Sequence, residues 1–208
     1  MADQGNGSTR LRADGLSTRK MTERMYRLKP QQPPDLSDRM RRAAWQIVWS
    51  IAFRPSPVVL HGWRRMILRC FGAKVARSAH PYPTCKVWAP WNLEMDERSC
   101  LGPSVNCYNV DTVALGPGAI VSQFCHICTA SHDFESDDFP LVTAPISIGK
   151  GAWVAADAFV GPGVDVGDEA VVLARSVVTK DVGKGTVVGG HPAAFIRQRN
   201  APDEVPGT

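Results

Sequence analysis

The chain holds five histidines, and one of them, His132, occupies a position typical of a catalytic residue. The imidazole group is suited to proton transfer because its unperturbed pKa lies near neutral pH. His132 opens segment 132–145, which interrupts an otherwise regular repeat, and loops that leave a regular wall are common places for function. We therefore expect His132 to act as a general base; the alternative is a solvated loop side chain.

Polar side chains near His132 are candidates for binding a second molecule. Tyr108 and Asn109 lie where two extra residues enter the repeat, before the coil that leads to His132. With Asp133, which follows His132 and could also orient a ring, they are expected to bind an acceptor. Asn109 could instead be a turn residue that tolerates an unusual backbone angle, and Asn106 is a rival for its role.

A metal site is the obvious alternative chemistry, because Cys125 and Cys128 enclose His126 and Ile127. However, no second Cys-x-x-Cys pair or histidine pair follows at zinc-finger spacing. Ile127 also falls on an inward position of the repeat. We therefore expect small buried cysteines here and no metal.

A six-residue repeat must position these side chains. From Val75 onward an apolar residue recurs every six positions, often followed by a small one. The longest unbroken run comprises Ile148-Gly149, Val154-Ala155, Val160-Gly161, Val166-Gly167, Val172-Leu173 and Val178-Thr179. Earlier matches are Leu115-Gly116, Val121-Ser122 and Ile127-Cys128, with a weaker set at Val87, Leu93, Leu101-Gly102 and Cys107.

Such a short fixed period is the signature of a parallel β-helix, in which each hexad forms one strand and one turn. The apolar residue points inward, the small residue allows a tight turn, and stacked coils build one core. Gly-Pro-Gly recurs at 116–118 and 161–163, where such turns fall. The repeat is interrupted between Cys107 and Leu115, which are eight residues apart, and between Ile127 and Ile148.

The residues before the repeat divide into two regions. Residues 1–36 are polar and rich in Gly, Ser, Arg, Gln and Pro, so we predict a disordered arm. Residues 37–73 contain two predicted helices, one from Met40 to Phe53 capped by Ser37 or Asp38, and one from Val58 to Phe71 that stops at Gly72. These helices could cap the open end of the β-helix, the favoured interpretation, or lie on an anionic membrane surface.

Charge and cysteine content bound the remaining possibilities. Residues 1–80 carry 16 Lys/Arg and 5 Asp/Glu, whereas residues 81–208 carry 8 and 15, so the basic charge is confined to the N-terminal part. The chain has six cysteines, and its polar first 35 residues do not match a secretory signal. We therefore expect a cytoplasmic protein with reduced thiols and without a spanning helix; peripheral contact with the inner face of the membrane is the alternative left open.

These residues resemble the left-handed β-helix hexapeptide-repeat acyltransferases, and most closely the colanic-acid-type exopolysaccharide acetyltransferases. The resemblance covers about residues 45–199 and implies an all-β fold, a left-handed parallel β-helix over residues 74–199, a homotrimer and active sites between neighbouring subunits. Its most specific motifs are Pro90-Trp-Asn-Leu93, Tyr108-Asn109, Cys128-Thr-Ala-Ser-His-Asp133, Thr143-Ala-Pro-Ile146, Ala156-Asp-Ala-Phe-Val-Gly-Pro-Gly163, Ser176-Val-Val-Thr-Lys-Asp181 and Gly189-Gly-His-Pro-Ala193.

The resemblance also implies roles for individual residues. His132 matches the catalytic histidine of the family, and acetyl-CoA is the implied co-substrate. The positions that match its CoA-binding residues are Ala156, Ala174, Thr179, Lys180 and Arg197. Trp153 lies beside the CoA groove and is expected to pack against the acetyl-bearing end of the cofactor; packing between subunits is the alternative. The alanines would act through main-chain groups, and the two cations would meet CoA phosphates. Where the family has a second basic residue, this chain has Ala194.

The predicted function is therefore acetyl-CoA-dependent O-acetylation of a sugar in an exopolysaccharide pathway. The alternatives are N-acetylation of an amino sugar nucleotide, a zinc-dependent hydratase on the same fold, and a non-catalytic scaffold. The hydratase would need three convergent histidines, but only His126 and His132 lie one rung apart within the repeat. We expect no nucleic-acid partner.

Overall fold

A computed structural model describes residues 28–31 and 35–199 of the chain. Residues 74–189 form a left-handed parallel β-helix of about six turns. Short strands follow one another around three flat faces, here called A, B and C, and each strand pairs in parallel with the strand one coil away. The predicted fold is therefore confirmed.

The three flat faces make the β-helix a triangular prism. Each face is one β-sheet whose strands come from successive coils. Face A contains β2 (Lys74–Val75), β5 (Leu93–Met95), β8 (Val113–Leu115), β13 (Ile146–Ile148) and β16 (Asp165–Val166). Face B contains β3 (His80–Pro81), β6 (Cys100–Leu101), β9 (Ile120–Val121), β14 (Trp153–Val154), β17 (Val171–Val172) and β19 (Thr186–Gly189), with β20 (Ala194–Gln198) added antiparallel at its end. Face C contains β4 (Lys86–Val87), β7 (Asn106–Tyr108), β10 (His126–Cys128), β15 (Phe159–Val160) and β18 (Val177–Val178).

The inward side chains form continuous stacks along each face, which is the core predicted by the hexads. On face A, Met95, Leu115, Ile148 and Val166 occupy one register from coil to coil. The six apolar positions from Ile148 to Val178 are each no more than 1% exposed. Burying a column of Val, Ile and Leu in this way contributes about 25 cal/mol for each Å² of apolar surface removed from water.

At two corners the small residue after the apolar one is required by the stacking of coils. A Cβ atom on Gly149 would lie 2.6 Å from the backbone nitrogen of Asp168, and one on Gly167 would lie 2.6 Å from that of Lys184. Both partners belong to the next coil. Glycine at these corners therefore lets successive coils approach to hydrogen-bonding distance.

The early coils differ from the prediction in register. Met95, not Leu93, continues the stack of Leu115, whereas Leu93 pairs with Val113. Two extra residues therefore enter the repeat twice, after Val87 as well as after Cys107. The first insertion escaped the sequence pattern because Leu93 is itself buried and stands six residues after Val87. A 3-10 turn, Pro90–Asn92, occupies the widened corner.

The two predicted helices form with shifted ends. Helix α1 spans Leu36–Val48 and continues as a π-helical segment, Trp49–Phe53. Its N-cap is Asp35, whose carboxylate accepts from the amide of Asp38 at 2.8 Å, so the predicted caps were wrong. Helix α2 spans His61–Cys70, three residues shorter at its start than predicted, and Gly72 follows in the left-handed conformation.

These helices cap the first coil through hydrogen bonds to its carbonyl groups. Several N–H groups of that coil donate to the second coil, as in the bond from His80 to Ser99, whereas carbonyl groups on its other edge point away from the second coil. Indole and guanidinium groups satisfy five of them: Trp45 donates to Val87, Trp49 to Cys85, Arg64 to Pro81, Arg65 to Ala79 and Arg69 to Val75. Buried polar groups need such partners, and the cap supplies them.

Part of the predicted arm is ordered in a fourth, smaller sheet. Strand β1 (Lys29–Pro30) pairs antiparallel with β12 (Leu141–Thr143), which pairs antiparallel with β11 (Ala130–His132). The rest of the predicted arm, residues 1–27 and 32–34, lies outside the described residues. Within the described part of the chain, no helix is long and apolar enough to cross a membrane.

Candidate active site

His132 is carried by a β-hairpin that leaves the prism at the corner between faces C and A. Strand β11 ends at His132, which lies opposite Leu141 of β12. The amide of Asp133 donates to the carbonyl of Pro140 at 3.0 Å and closes the tip of the hairpin. The predicted loop is therefore a paired structure that holds His132 at its exposed end.

The ring of His132 is fixed in one tautomer by the main chain. Its Nδ1 atom lies 2.6 Å from the carbonyl oxygen of Phe139. Because a carbonyl oxygen only accepts hydrogen bonds, Nδ1 carries the hydrogen, and the lone pair of the neutral ring is on Nε2. The geometry leaves Nε2 able to accept a proton from a substrate.

The acidic neighbour of His132 has a different partner. The carboxylate of Asp133 accepts from the amide of Glu135 at 3.1 Å. The ring-orienting role considered for Asp133 is therefore filled by the Phe139 carbonyl. Sequence reasoning missed this group, and no side-chain signal could have revealed it because the contact is made by the main chain.

Asn109 is buried and does not face solvent, which corrects its predicted role in acceptor binding. Its Oδ1 atom accepts from the amides of Trp88 and Ala89, both at 3.0 Å, and its Nδ2 donates to the carbonyl of Ala89 at 2.6 Å. The side chain thus joins the widened corners of two successive coils. Asn106, the rival, is exposed on face C in register with His126.

Tyr108 lies at the base of the hairpin. Its carbonyl accepts from both the amide and the hydroxyl of Thr129, each at 3.1 Å, and its ring packs at 5.1 Å from that of Trp88. The ring is half-buried on face C. Tyr108 is therefore hydrogen-bonded to the residue that immediately precedes β11.

The residues predicted to bind CoA fall into two separate groups. Thr179 and Lys180 are exposed at the C–A corner, two coils beyond the hairpin of His132. The other four lie on face B or at the corner between faces B and C: Trp153, Ala156, Ala174 and Arg197. One chain does not bring this second group to His132, because face C separates the two corners.

The second group has features of a groove. Ala156 and Ala174 lie on successive coils, and the amide of Arg175 donates to the carbonyl of Ala156 at 2.9 Å. Neither alanine amide has a hydrogen-bond partner among the described residues. Trp153 is about half-exposed beside them, with its indole nitrogen donating to the Ser122 hydroxyl at 2.8 Å. Arg197 lies on β20, opposite Val187 at the end of face B.

The sequence comparison decides the family. WcaF of Escherichia coli (strain K12), named for acetyl transfer in colanic acid biosynthesis, is 40% identical over 155 residues, which are 74% of this chain and 85% of WcaF. The chain belongs to the WcaF-type hexapeptide-repeat acetyltransferases. No family model matches it.

Solved structures show the same fold for this acetyltransferase. A maltose O-acetyltransferase from Clostridium difficile 630 superposes with a TM-score of 0.74 at 22% identity, covering 86% of this chain and 97% of its own. A hexapeptide-repeat acetyltransferase from Vibrio cholerae, in complex with acetyl coenzyme A, has a TM-score of 0.73 at 21% identity, covering 85% and 98%.

Cys125 and Cys128 of the acetyltransferase are packing groups. Cys125 is buried and its thiol donates to the carbonyl of Ala155 at 3.0 Å, while Cys128 is partly buried. Burial raises the pKa of the Cys125 thiol, which keeps it protonated and neutral. In residues 28–31 and 35–199, no three His, Cys, Asp or Glu side chains are grouped in a way that could hold a metal ion.

Proposed function

We propose that this acetyltransferase moves an acetyl group from acetyl-CoA to a sugar hydroxyl in an exopolysaccharide pathway, with His132 as general base. The observation that carries the proposal is the Phe139 carbonyl on Nδ1 of His132, which leaves Nε2 as the basic atom. The similarity to WcaF supports the pathway, and the acetyl coenzyme A complex of the Vibrio cholerae protein supports the donor.

The proposed reaction uses both nitrogen atoms of the His132 ring. Nε2 takes the hydroxyl proton as the sugar oxygen attacks the thioester carbonyl. The C–S bond then breaks, and the proton passes from Nε2 to the departing CoA sulfur. The products are the acetylated sugar and CoA. The hydrogen bond from Nδ1 to Phe139 stabilises the transient imidazolium, because a charged donor makes a stronger bond.

CoA is assigned to the alanine groove. The amides of Ala156 and Ala174 can donate to the pantetheine chain, and Trp153 can pack along it. Lys180 and Arg197 are exposed cations suited to CoA phosphates, and Thr179 lies beside Lys180. Tyr108 and Asp133, near the hairpin, are the proposed acceptor contacts.

A homotrimer would unite the separated halves of the site. Face B exposes the apolar side chains of Ile120 and Trp153, and Leu173 is exposed at its corner with face C. Exposed apolar side chains of this kind favour contact with another chain. A neighbour that packs its alanine groove near the hairpin would supply the CoA site for His132. This arrangement explains why the two groups lie at different corners of one prism.

The decisive experiment incubates the purified protein with acetyl-CoA and a panel of neutral and amino sugars, free and nucleotide-linked, and identifies products by mass. Ester formation at a neutral sugar is expected, with a loss of at least about 10²-fold in the His132→Ala variant. Acetylation confined to an amine would overturn O-acetylation, and an active His132→Ala variant would overturn the mechanism.

Subunit sharing has its own test. The His132→Ala chain and an Ala174→Trp chain, which fills the groove, are each expected to be inactive. When they are co-expressed, mixed trimers contain sites with an intact histidine from one chain and an intact groove from the other. Activity recovered in the mixture supports the shared site, whereas a mixture as inactive as its parts contradicts it.

A further inference from the structure

Helix α1 carries apolar residues on both of its sides. Trp45 and Phe53 on the inner side are fully buried against the first coil. Leu36, Met40 and Ile47, separated by four and seven residues, project together from the opposite side. With Ile51 in the π-helical segment, these outer side chains are between 60% and 73% exposed. A helix that only capped the β-helix would have polar residues on its outer side.

The outer apolar residues continue onto the neighbouring segment. The indole nitrogen of Trp63 donates to the carbonyl of Ala52 at 2.9 Å, which places Trp63 beside the π-helical segment. Val58, Val59 and Met66 are also exposed. We call this surface the outer patch; it consists of Leu36, Met40, Ile47, Ile51, Val58, Val59, Leu60, Trp63 and Met66.

The outer patch lies in the most basic part of the described chain. Residues 36–73 contain seven arginines and one acidic residue, Asp38. Within the described residues, Arg42 is the only one of these arginines with a carboxylate partner, Asp38 at 2.7 Å. Arg39 and Arg54 are exposed on α1 and just after the π-helical segment. Apolar side chains flanked by unneutralised arginines are the composition of interfacial helices.

Charge distinguishes among the possible occupants of the patch. A second copy would bring two strongly basic segments face to face, which is unfavourable. Residues 1–27 of the same chain carry six Lys/Arg and three Asp/Glu, so they are also basic. An anionic lipid surface is complementary in both charge and apolar character.

We propose that the outer patch docks the protein on an anionic phospholipid surface. The cap explains the inward Trp45, Trp49 and Arg64, and the lipid surface explains the outward Met40, Ile47 and Ile51. The two interpretations of this region therefore apply to opposite sides of the same helices. The inference does not depend on the acetyl-transfer proposal, because none of these residues belongs to the proposed site.

The test is co-sedimentation of the full chain with vesicles of phosphatidylglycerol and phosphatidylcholine, compared with phosphatidylcholine alone. Binding to the anionic vesicles is expected, and it should weaken as salt rises. A Met40→Gln, Ile47→Gln, Ile51→Gln variant keeps the charge and should lose at least about tenfold in partitioning. An Arg39→Gln, Arg54→Gln variant should lose roughly fivefold per arginine on anionic vesicles.

The matched control is Phe124→Gln, which alters an apolar side chain that is 62% exposed on the β-helix, away from the helices. It should bind vesicles like the parent, as should His132→Ala. Circular dichroism and melting temperatures establish that each variant is folded. Absence of vesicle binding, equal binding to neutral vesicles, or a triple variant that binds like the parent would overturn the proposal. A sedimentation coefficient that falls in the triple variant would identify a second copy as the occupant instead.

Discussion

The Nδ1 atom of His132 and the carbonyl oxygen of Phe139, 2.6 Å apart, lie on opposite sides of a hairpin that projects from the β-helix wall. Seven residues separate them, so the contact exists only when the hairpin is closed. A regular coil would expose the histidine but leave its tautomer open. The paired hairpin thus positions His132 and also determines that Nε2 is its basic nitrogen.

The first prediction concerns the chemical role of His132. Replacing His132 with Ala should lower kcat by at least about 10²-fold, because no base remains to take the hydroxyl proton. The melting temperature should stay the same, since the side chain is exposed and packs little. Glu135→Gln, an exposed change in the same hairpin, is the control and should keep its rate. Equal losses in the two variants would point to a disturbed hairpin and not to lost base catalysis.

The second prediction concerns the strand that braces this hairpin. The amide of Gln31 donates to the carbonyl of Leu141 at 2.8 Å, and Leu141 lies opposite His132. Gln31→Pro removes that donor, so β12 should become less protected from hydrogen exchange and kcat should fall several-fold.

The control for this change is Gln31→Ala, which keeps the backbone amide. It loses only the long contact of the Gln31 side chain with the Thr143 hydroxyl, at 3.5 Å, and should resemble the parent. The KM for acetyl-CoA should change less than kcat in both variants, because none of the proposed groove residues belongs to the hairpin. Unaltered exchange at Leu141–Thr143 in Gln31→Pro would show that the strand does not brace the hairpin.

The third prediction tests whether Asn109 stabilises the fold or binds the acceptor sugar. Asn109→Ala leaves the buried amide of Ala89 without an acceptor, and an unsatisfied buried group costs about 1–3 kcal/mol. The amide of Trp88 keeps the Cys107 carbonyl at 3.0 Å. The melting temperature of the variant should therefore drop by several degrees, while the acceptor KM measured below that temperature stays constant. Asn106→Ala, an exposed change on the adjacent strand, should melt like the parent. A raised KM with unchanged stability in Asn109→Ala would restore the acceptor role.

Features that depend on local spacing could be predicted from the sequence. Contacts between residues that are one full coil apart could not. The inward positions from Ile148 to Val178 follow from a period that each hexad repeats. Asn109, by contrast, bonds to Ala89 twenty residues earlier, and that partner is known only when the coil length is known. Buried Leu93 concealed the first insertion, so the length of that coil was misjudged.

The same distinction explains which residues of the candidate site could be predicted from the sequence. His132 was found because it opens a break in the period. The Phe139 carbonyl was not, since main-chain contacts carry no side-chain signature. Predicting that Ala174 and His132 lie at different corners would also have required the length of every coil, because those lengths assign each residue to a corner.

The fourth prediction tests whether coil stacking selects glycine. Gly149→Ala would place Cβ 2.6 Å from the Asp168 nitrogen, so the coils must separate locally, and we expect a loss of about 1–3 kcal/mol in unfolding free energy. Gly183→Ala is the control, because its nearest neighbour is the Thr186 methyl at 3.4 Å. Denaturant melts measure both. Equal stability of the two variants would mean that coil stacking does not require glycine at position 149.

The fifth prediction concerns the pH dependence of stability through His126. Burial on face C, against the ring of Phe159 at 5.5 Å, lowers the pKa of His126 below its usual value. The unfolded chain therefore binds this proton at higher pH than the folded chain does. As pH falls through about 6.5, the ordinary histidine pKa, the unfolded state gains protons first and the folded state loses stability.

Replacing His126 with Gln removes this proton linkage. The melting temperature of the parent should thus fall more steeply between about pH 7.5 and 5.5 than that of the variant, whereas no such difference is expected at higher pH. Other groups that titrate in this range, including His61, are common to both proteins and cancel in the comparison. If the melting temperatures of the parent and the variant changed with pH in the same way over this range, His126 would take up its proton equally well in the folded and the unfolded chain.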